Sequence, residues 1–134
     1  MALDIIQKEL HGIIILELAG RLGLGQENMD FRAKIKELLD NSGWFKEKWG
    51  WETRIVLDLG NVGFLDSAGL GALIAARVSA TNRGAGMKLA NLTKKIRDQL
   101  QITKLVTVFD VYDSVEAAVN SFPQAEPAAG VAPA

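Results

Sequence analysis

The stretch Ile55-Val-Leu-Asp-Leu-Gly-Asn-Val-Gly-Phe-Leu-Asp-Ser-Ala-Gly-Leu-Gly71 carries the reading of this chain. Its first five residues, Ile55–Leu59, form a short β-rich apolar run interrupted by Asp58, as a buried strand would be. A short glycine-containing loop follows, and Phe64-Leu-Asp-Ser-Ala-Gly-Leu-Gly71 then opens a helix expected to run from about Ser67 to Asn82. Leu70, Leu73, Ile74 and Val78 make its expected apolar stripe. Ala68, Gly71, Ala72, Ala75 and Ala76 are small enough to let that helix lie close to a sheet, and Arg83-Gly-Ala-Gly86 breaks it.

Strand and helix patterns continue on both sides of this unit. Upstream, Asp4–Leu10 and Gly12–Ala19 read as two strands joined by a tight turn at His11–Gly12. Ile13–Leu16 is apolar on both faces, as in a central strand. A helix is expected over Gln26–Asp40, with Phe31, Ile35, Leu38 and Leu39 at helical spacing. Downstream, Met87–Ala90 reads as a strand, Thr93–Gln101 as a helix and Leu105–Phe109 as the last strand. Asp113-Ser-Val-Glu116 has the form of a capping box for a final helix ending near Ser121. The order β-β-α-β-α-β-α-β-α gives an α/β fold: a mixed sheet with packed helices, an antiparallel opening pair and parallel crossovers.

Residues 1–122 are expected to form this one domain. Two segments stand outside its pattern. Asn41–Arg54 holds all three tryptophans, Trp44, Trp49 and Trp51, among alternating charges. If that stretch is extended, Trp49 and Trp51 share a face. Residues 123–134 contain all three prolines and no large apolar anchor, the composition of a flexible tail.

The chain has 134 residues, the size of one domain. Hydrophobic residues make up 49% and charged residues 23%, enough apolar material for a core. Fifteen basic against sixteen acidic side chains leave a net charge of −1, so no basic excess points to nucleic acid. The absence of cysteine excludes disulfides, iron–sulfur clusters and thiolate zinc sites. His11 is the only histidine, and no metal or other cofactor is expected. No leader pattern opens the chain and no apolar run is long enough to span a bilayer, so a cytoplasmic protein without a membrane segment is expected.

Two loops invite a chemical reading. Gly20-Arg-Leu-Gly-Leu-Gly25 has the spacing GxxGxG, which matches neither the dinucleotide fingerprint nor a P-loop, and positive backbone angles explain its glycines without a ligand. Around Ser67, Leu65 stands where a nucleophile elbow needs its first glycine. A hydrolase would also have to recruit His11 from a distant turn, so no enzyme is expected. Ser67 at a helix N-terminus suits a different role. Phosphorylation there adds roughly −1.5 to −2 charges beside Asp66, changing the surface potential without unfolding the helix. The alternative is that Asp66 or Ser67 is simply the helix N-cap.

The same residues resemble the STAS domain, and within it the bacterial anti-sigma factor antagonists. Asp58, Asp66, Ser67, Gly69, Leu70 and Gly71 match the family's strand-ending Asp and its Asp-Ser-x-Gly-Leu-Gly string. Gly20-Arg21-Leu22 matches the loop after the second strand, and the resemblance runs from about Leu3 to Phe122. It implies a binding module that, unphosphorylated, captures an anti-sigma factor that is also a serine kinase, and so frees a sigma factor. The kinase would phosphorylate Ser67 and a serine phosphatase would reverse this. Asp58, Asp66, Ser67, Gly69, Leu70, Arg21 and Leu22 are the implied partner-binding residues. A second implied role is an adaptor or scaffold subunit of a stress-sensing or lipid-transport complex, without phosphorylation. The chain departs from the family pattern twice. Gly23 stands where an acidic residue is usual, and the tryptophan segment replaces a short connection. Whether that segment mediates homodimerisation stays open.

Overall fold

The computed structural model describes residues 3–123. Two antiparallel strands, β1 (Leu3–Leu10) and β2 (Ile13–Leu22), meet at a turn in which His11 and Gly12 both take positive φ. Helices α1 (Gln26–Asp40) and α2 (Ser42–Trp49) lead to β3 (Arg54–Leu65), followed by α3 (Ser67–Asn82). Strand β4 (Gly86–Ala90), helix α4 (Lys94–Ile102), a two-residue strand β5 (Val111–Tyr112) and helix α5 (Val115–Ser121) complete the order. The five strands lie side by side in sequence order, and every neighbour pair after β1–β2 is parallel.

This topology explains where the core sits. Each parallel step in one direction requires a crossover of the same hand, so α1, α3 and α4 fall on one face of the sheet. That face carries the larger cluster: Ile14, Leu16, Ile55 and Leu57 from the strands against Phe31, Leu39, Leu73 and Ile96 from the helices. The alternate strand residues, Ile13, Ile15 and Val56, face Ala118 and Val119 of α5. The doubly apolar character of Ile13–Leu16 is thereby satisfied, because a strand buried on both faces has no polar side.

Several expected details are corrected. Leu105–Phe109 is not a strand: Lys104 turns into the left-handed region, Leu105–Thr107 forms a single 3-10 turn, and the strand is Val111–Tyr112. Phe109 is buried in the larger core nonetheless, which accounts for the apolar run. Strand β3 does not stop at Leu59 but continues to Leu65, pairing with Ala19–Leu22 through two irregularities in register. Gly60, Asn61 and Gly63, read as loop residues, are the exposed positions of that irregular half. The buried side of α3 is Gly69, Ala72, Leu73, Ala76 and Ala80, whereas Val78 is exposed. Leu73 and the small residues therefore make the buried face, and Leu70 and Ile74 only flank it. The final helix is capped by Ser114, whose Oγ accepts the Ala117 N–H at 3.0 Å, not by Asp113. The tryptophan segment is helical as far as Trp49. The expected tail lies outside the described residues, apart from Pro123.

Candidate functional site around Ser67

Ser67 is the first residue of α3 and is exposed. The residue before it determines the local geometry. Asp66 is extended (φ −105°, ψ −173°), and its Oδ1 accepts the Gly69 N–H at 2.9 Å. Its Oδ2 accepts the Leu24 N–H at 3.2 Å, which ties the loop after β2 to the start of α3. Asp66 is thus the N-cap and a cross-loop clasp, while no hydrogen bond of the Ser67 hydroxyl is found among the described residues. The bonds from Gly69 foremost, then from Leu24 and Ala68, and the charge of Arg21 hold the Asp66 carboxyl below its ordinary range, against the opposing effect of burial.

Close packing fixes the same corner. A Cβ on Gly69 would strike the backbone carbonyl of Leu22, so only glycine lets α3 rest on the end of β2. A Cβ on Gly23 would lie 2.8 Å from Asp66 Oδ2 and 2.9 Å from the Phe64 ring. The absence of an acidic side chain at this position thus has a local cause: it would press on a carboxylate already engaged in capping. The Arg21 guanidinium stacks on Phe64, 3.9 Å from the ring centroid.

Two neighbouring helices brace the corner. Asn28 of α1 donates from Nδ2 to the Ala68 carbonyl at 2.9 Å, and its own Oδ1 accepts from Arg32 Nε at 2.7 Å. Gln99 of α4 donates from Nε2 to the Leu65 carbonyl at 2.8 Å. Beside the serine corner the surface is apolar: Leu24 is 81% exposed and Met29 64%. Leu22, by contrast, is wholly buried.

Of the residues singled out in the sequence, Arg21, Leu22, Asp66, Ser67, Gly69 and Leu70 converge on this corner. Asp58 lies elsewhere. It is midway along β3 on the side of Val56, where its Oδ1 accepts the Gly60 N–H (3.0 Å) and Asn91 Nδ2 (3.1 Å). It fastens the bend of β3 to the end of β4. Leu24, Asn28 and Gln99 were not singled out. Leu24 had a signal, being a large apolar side chain between two loop glycines, but Asn28 and Gln99 lie on helices whose packing partners a sequence does not name.

The STAS domain profile matches residues 4–118, from the second residue of β1 to the middle of α5. The chain belongs to the STAS domain family. Among sequence relatives, a Bordetella bronchiseptica protein named as the anti-sigma factor antagonist BtrV is 32% identical over 76 residues. That match covers 57% of this chain and 66% of the relative, just under two thirds of its length. Among solved structures, an anti-sigma factor antagonist from Mycobacterium paratuberculosis superposes with a TM-score of 0.72 at 18% identity, covering 90% of this STAS chain and 93% of its own. The Bacillus cell fate determinant SpoIIAA in its phosphorylated form gives 0.59 at 21%, covering 89% and 97%. These two likenesses establish the fold. Among the described residues no helix is long and apolar enough to cross a membrane.

Proposed function

We propose that this STAS domain is an anti-sigma factor antagonist switched at Ser67. Unphosphorylated, it binds an anti-sigma factor that is also a serine kinase, and so frees a sigma factor. The kinase transfers phosphate from ATP to Ser67: the Oγ–P bond forms, the bond from the γ-phosphorus to the bridging oxygen breaks, ADP leaves, and the hydroxyl proton passes to a base of the kinase. A serine phosphatase restores the hydroxyl. The observation that carries this reading is an exposed Ser67 at the head of a helix whose cap is already supplied by Asp66. A serine relieved of capping is available for modification without loss of the helix. Leu24 and Met29 supply exposed apolar surface for a partner. A phosphate beside the ionised Asp66 brings roughly −1.5 to −2 charges into that surface. A loss of about 3 kcal/mol on modification weakens binding by roughly a hundredfold, which is sufficient for a switch.

The test is intact mass and partner binding of wild type, Ser67→Ala and Ser67→Asp with the kinase-like anti-sigma proteins of the same genome and ATP. One added phosphate on wild type, none on Ser67→Ala, and failure of Ser67→Asp to bind are expected. If all three bind one partner equally and none is modified, the protein is an adaptor and the switch is wrong.

A further inference from the structure

The three tryptophans play no part in the Ser67 corner. Two of them line a cavity of about 390 Å3 at the other end of the sheet, where β2 and β3 begin. His11, Trp49, Trp51, Arg54, Asn120 and Phe122 are among its walls. Trp49 and Trp51 stack nearly parallel, with an interplanar angle of 17° and centroids 6.4 Å apart. Gly12 makes this possible, since a Cβ there would lie 2.6 Å from the Trp49 ring. Trp51 is further tied by a long hydrogen bond, 3.5 Å, to the Gly12 carbonyl.

Arg54 is the charged element. Its guanidinium lies 3.9 Å from the Trp51 centroid and 5.3 Å from that of Phe122. It donates to the Pro123 carbonyl at 2.9 Å, and no ion pair with Arg54 is found among the described residues. Burial pushes its pKa down, though a guanidinium stays charged at any physiological pH. Among the described residues this partly buried cation has no counter-ion, and an incoming anion supplies one. Among the described residues nothing acidic lines the cavity. Its size falls at the lower end of small-molecule sites.

We infer that this cavity binds a small flat aromatic anion, its ring against the Trp49–Trp51 wall and its charge toward Arg54. The site is separate from Ser67 and stands whether or not that serine is phosphorylated.

Indole N–H resonances of the 15N-labelled chain report on it directly, because Trp44 does not line the cavity and serves as an internal control. The probes are indole-3-carboxylate, adenosine monophosphate and the neutral indole-3-carboxamide. At least one anion is expected to shift the Trp49 and Trp51 signals, leave Trp44 in place, and bind with a Kd of about 1 mM or tighter. Which anion binds tells carboxylate from phosphate. Arg54→Met is expected to weaken it about tenfold. Asn120→Glu, at an exposed rim position that leaves Arg54 intact, is expected to weaken it similarly while folding normally. Equal binding of the carboxamide, indifference to Asn120→Glu, or no shift with either anion would overturn the assignment.

Discussion

Asp66 does at the scale of one residue what the Ser67 corner needs: it keeps an ionised carboxylate on two backbone N–H groups from different segments. Its folded pKa is lowered, so its contribution to stability is complete above the unfolded value near 4 and is lost as pH falls from there through the folded value. Asp66→Asn can still cap α3 through its one amide oxygen, but its Nδ2 cannot accept the Leu24 N–H, and it cannot titrate. Thermal melts from acid to neutral pH should therefore show a smaller rise for Asp66→Asn than for wild type, with the difference developing below about pH 4. Matching slopes would show that the clasp does not favour the ionised form. Gly23→Asp puts a Cβ 2.8 Å from Asp66 Oδ2 and attaches a second carboxylate beside the first, and should lower the melting temperature. The partial recovery expected for Gly23→Asp at acid pH distinguishes charge repulsion from crowding against Phe64, which does not titrate.

Between elements, the decisive contact is α3 on the end of β2, made where Gly69 meets the Leu22 carbonyl. Gly69→Ala should cost about 3 kcal/mol in chemical denaturation, at the upper end of overpacking, because backbone and not a side-chain tip must yield. A cost below about 0.5 kcal/mol would mean that the helix slides freely along the strand. The elements themselves were legible in proportion to their length and periodicity. The bounds of α1 and α3 agree with the expected Gln26–Asp40 and Ser67–Asn82: apolar spacing marks α1, and in α3 the Asp66 cap and the breaker after Asn82 coincide with the pattern. The segment Leu105–Phe109 misleads because a β-rich composition reports burial of Phe109 equally well. A strand of two residues, Val111–Tyr112, is too short to show alternation. Helix α2 was missed because its eight residues carry no regular apolar stripe: Trp44 is exposed and Trp49 packs on the Gly12 turn. At the site, the Asp66–Ser67–Gly69 string was legible because it is local. The clasp to Leu24 and the braces from Asn28 and Gln99 join residues 34 to 42 positions apart, and a single sequence carries no record of such pairs.

For the molecule as a whole, the sheet determines which parts open together. Strands β2 and β3 are covered on both faces over Ile13–Leu16 and Ile55–Leu57, and each has a hydrogen-bonded neighbour on both sides. Opening either one exposes both core clusters at once, so their amides should exchange only through global unfolding. Strand β1 differs. It is an edge strand, its outer half is exposed, and its Ile6 and Leu10 are 51% and 40% accessible. Its loss uncovers little more than the partly buried Leu3 and Ile5. Hydrogen exchange should therefore place β1 in a separate, less stable unit that opens while β2–β4 stay closed. The Ser67 corner is built on the far ends of β2 and β3 and is anchored to them by the buried Leu22 and Leu65. That is the property a modification switch requires: the charge changes while the surface that presents it keeps its shape. A phosphorylated chain should accordingly retain the slow exchange of Leu57 and Leu16 and change only around α3's first turn. Fast exchange spreading into β2 and β3 on phosphorylation would mean instead that the modification acts by unfolding the domain, and the electrostatic account of the switch would have to be abandoned.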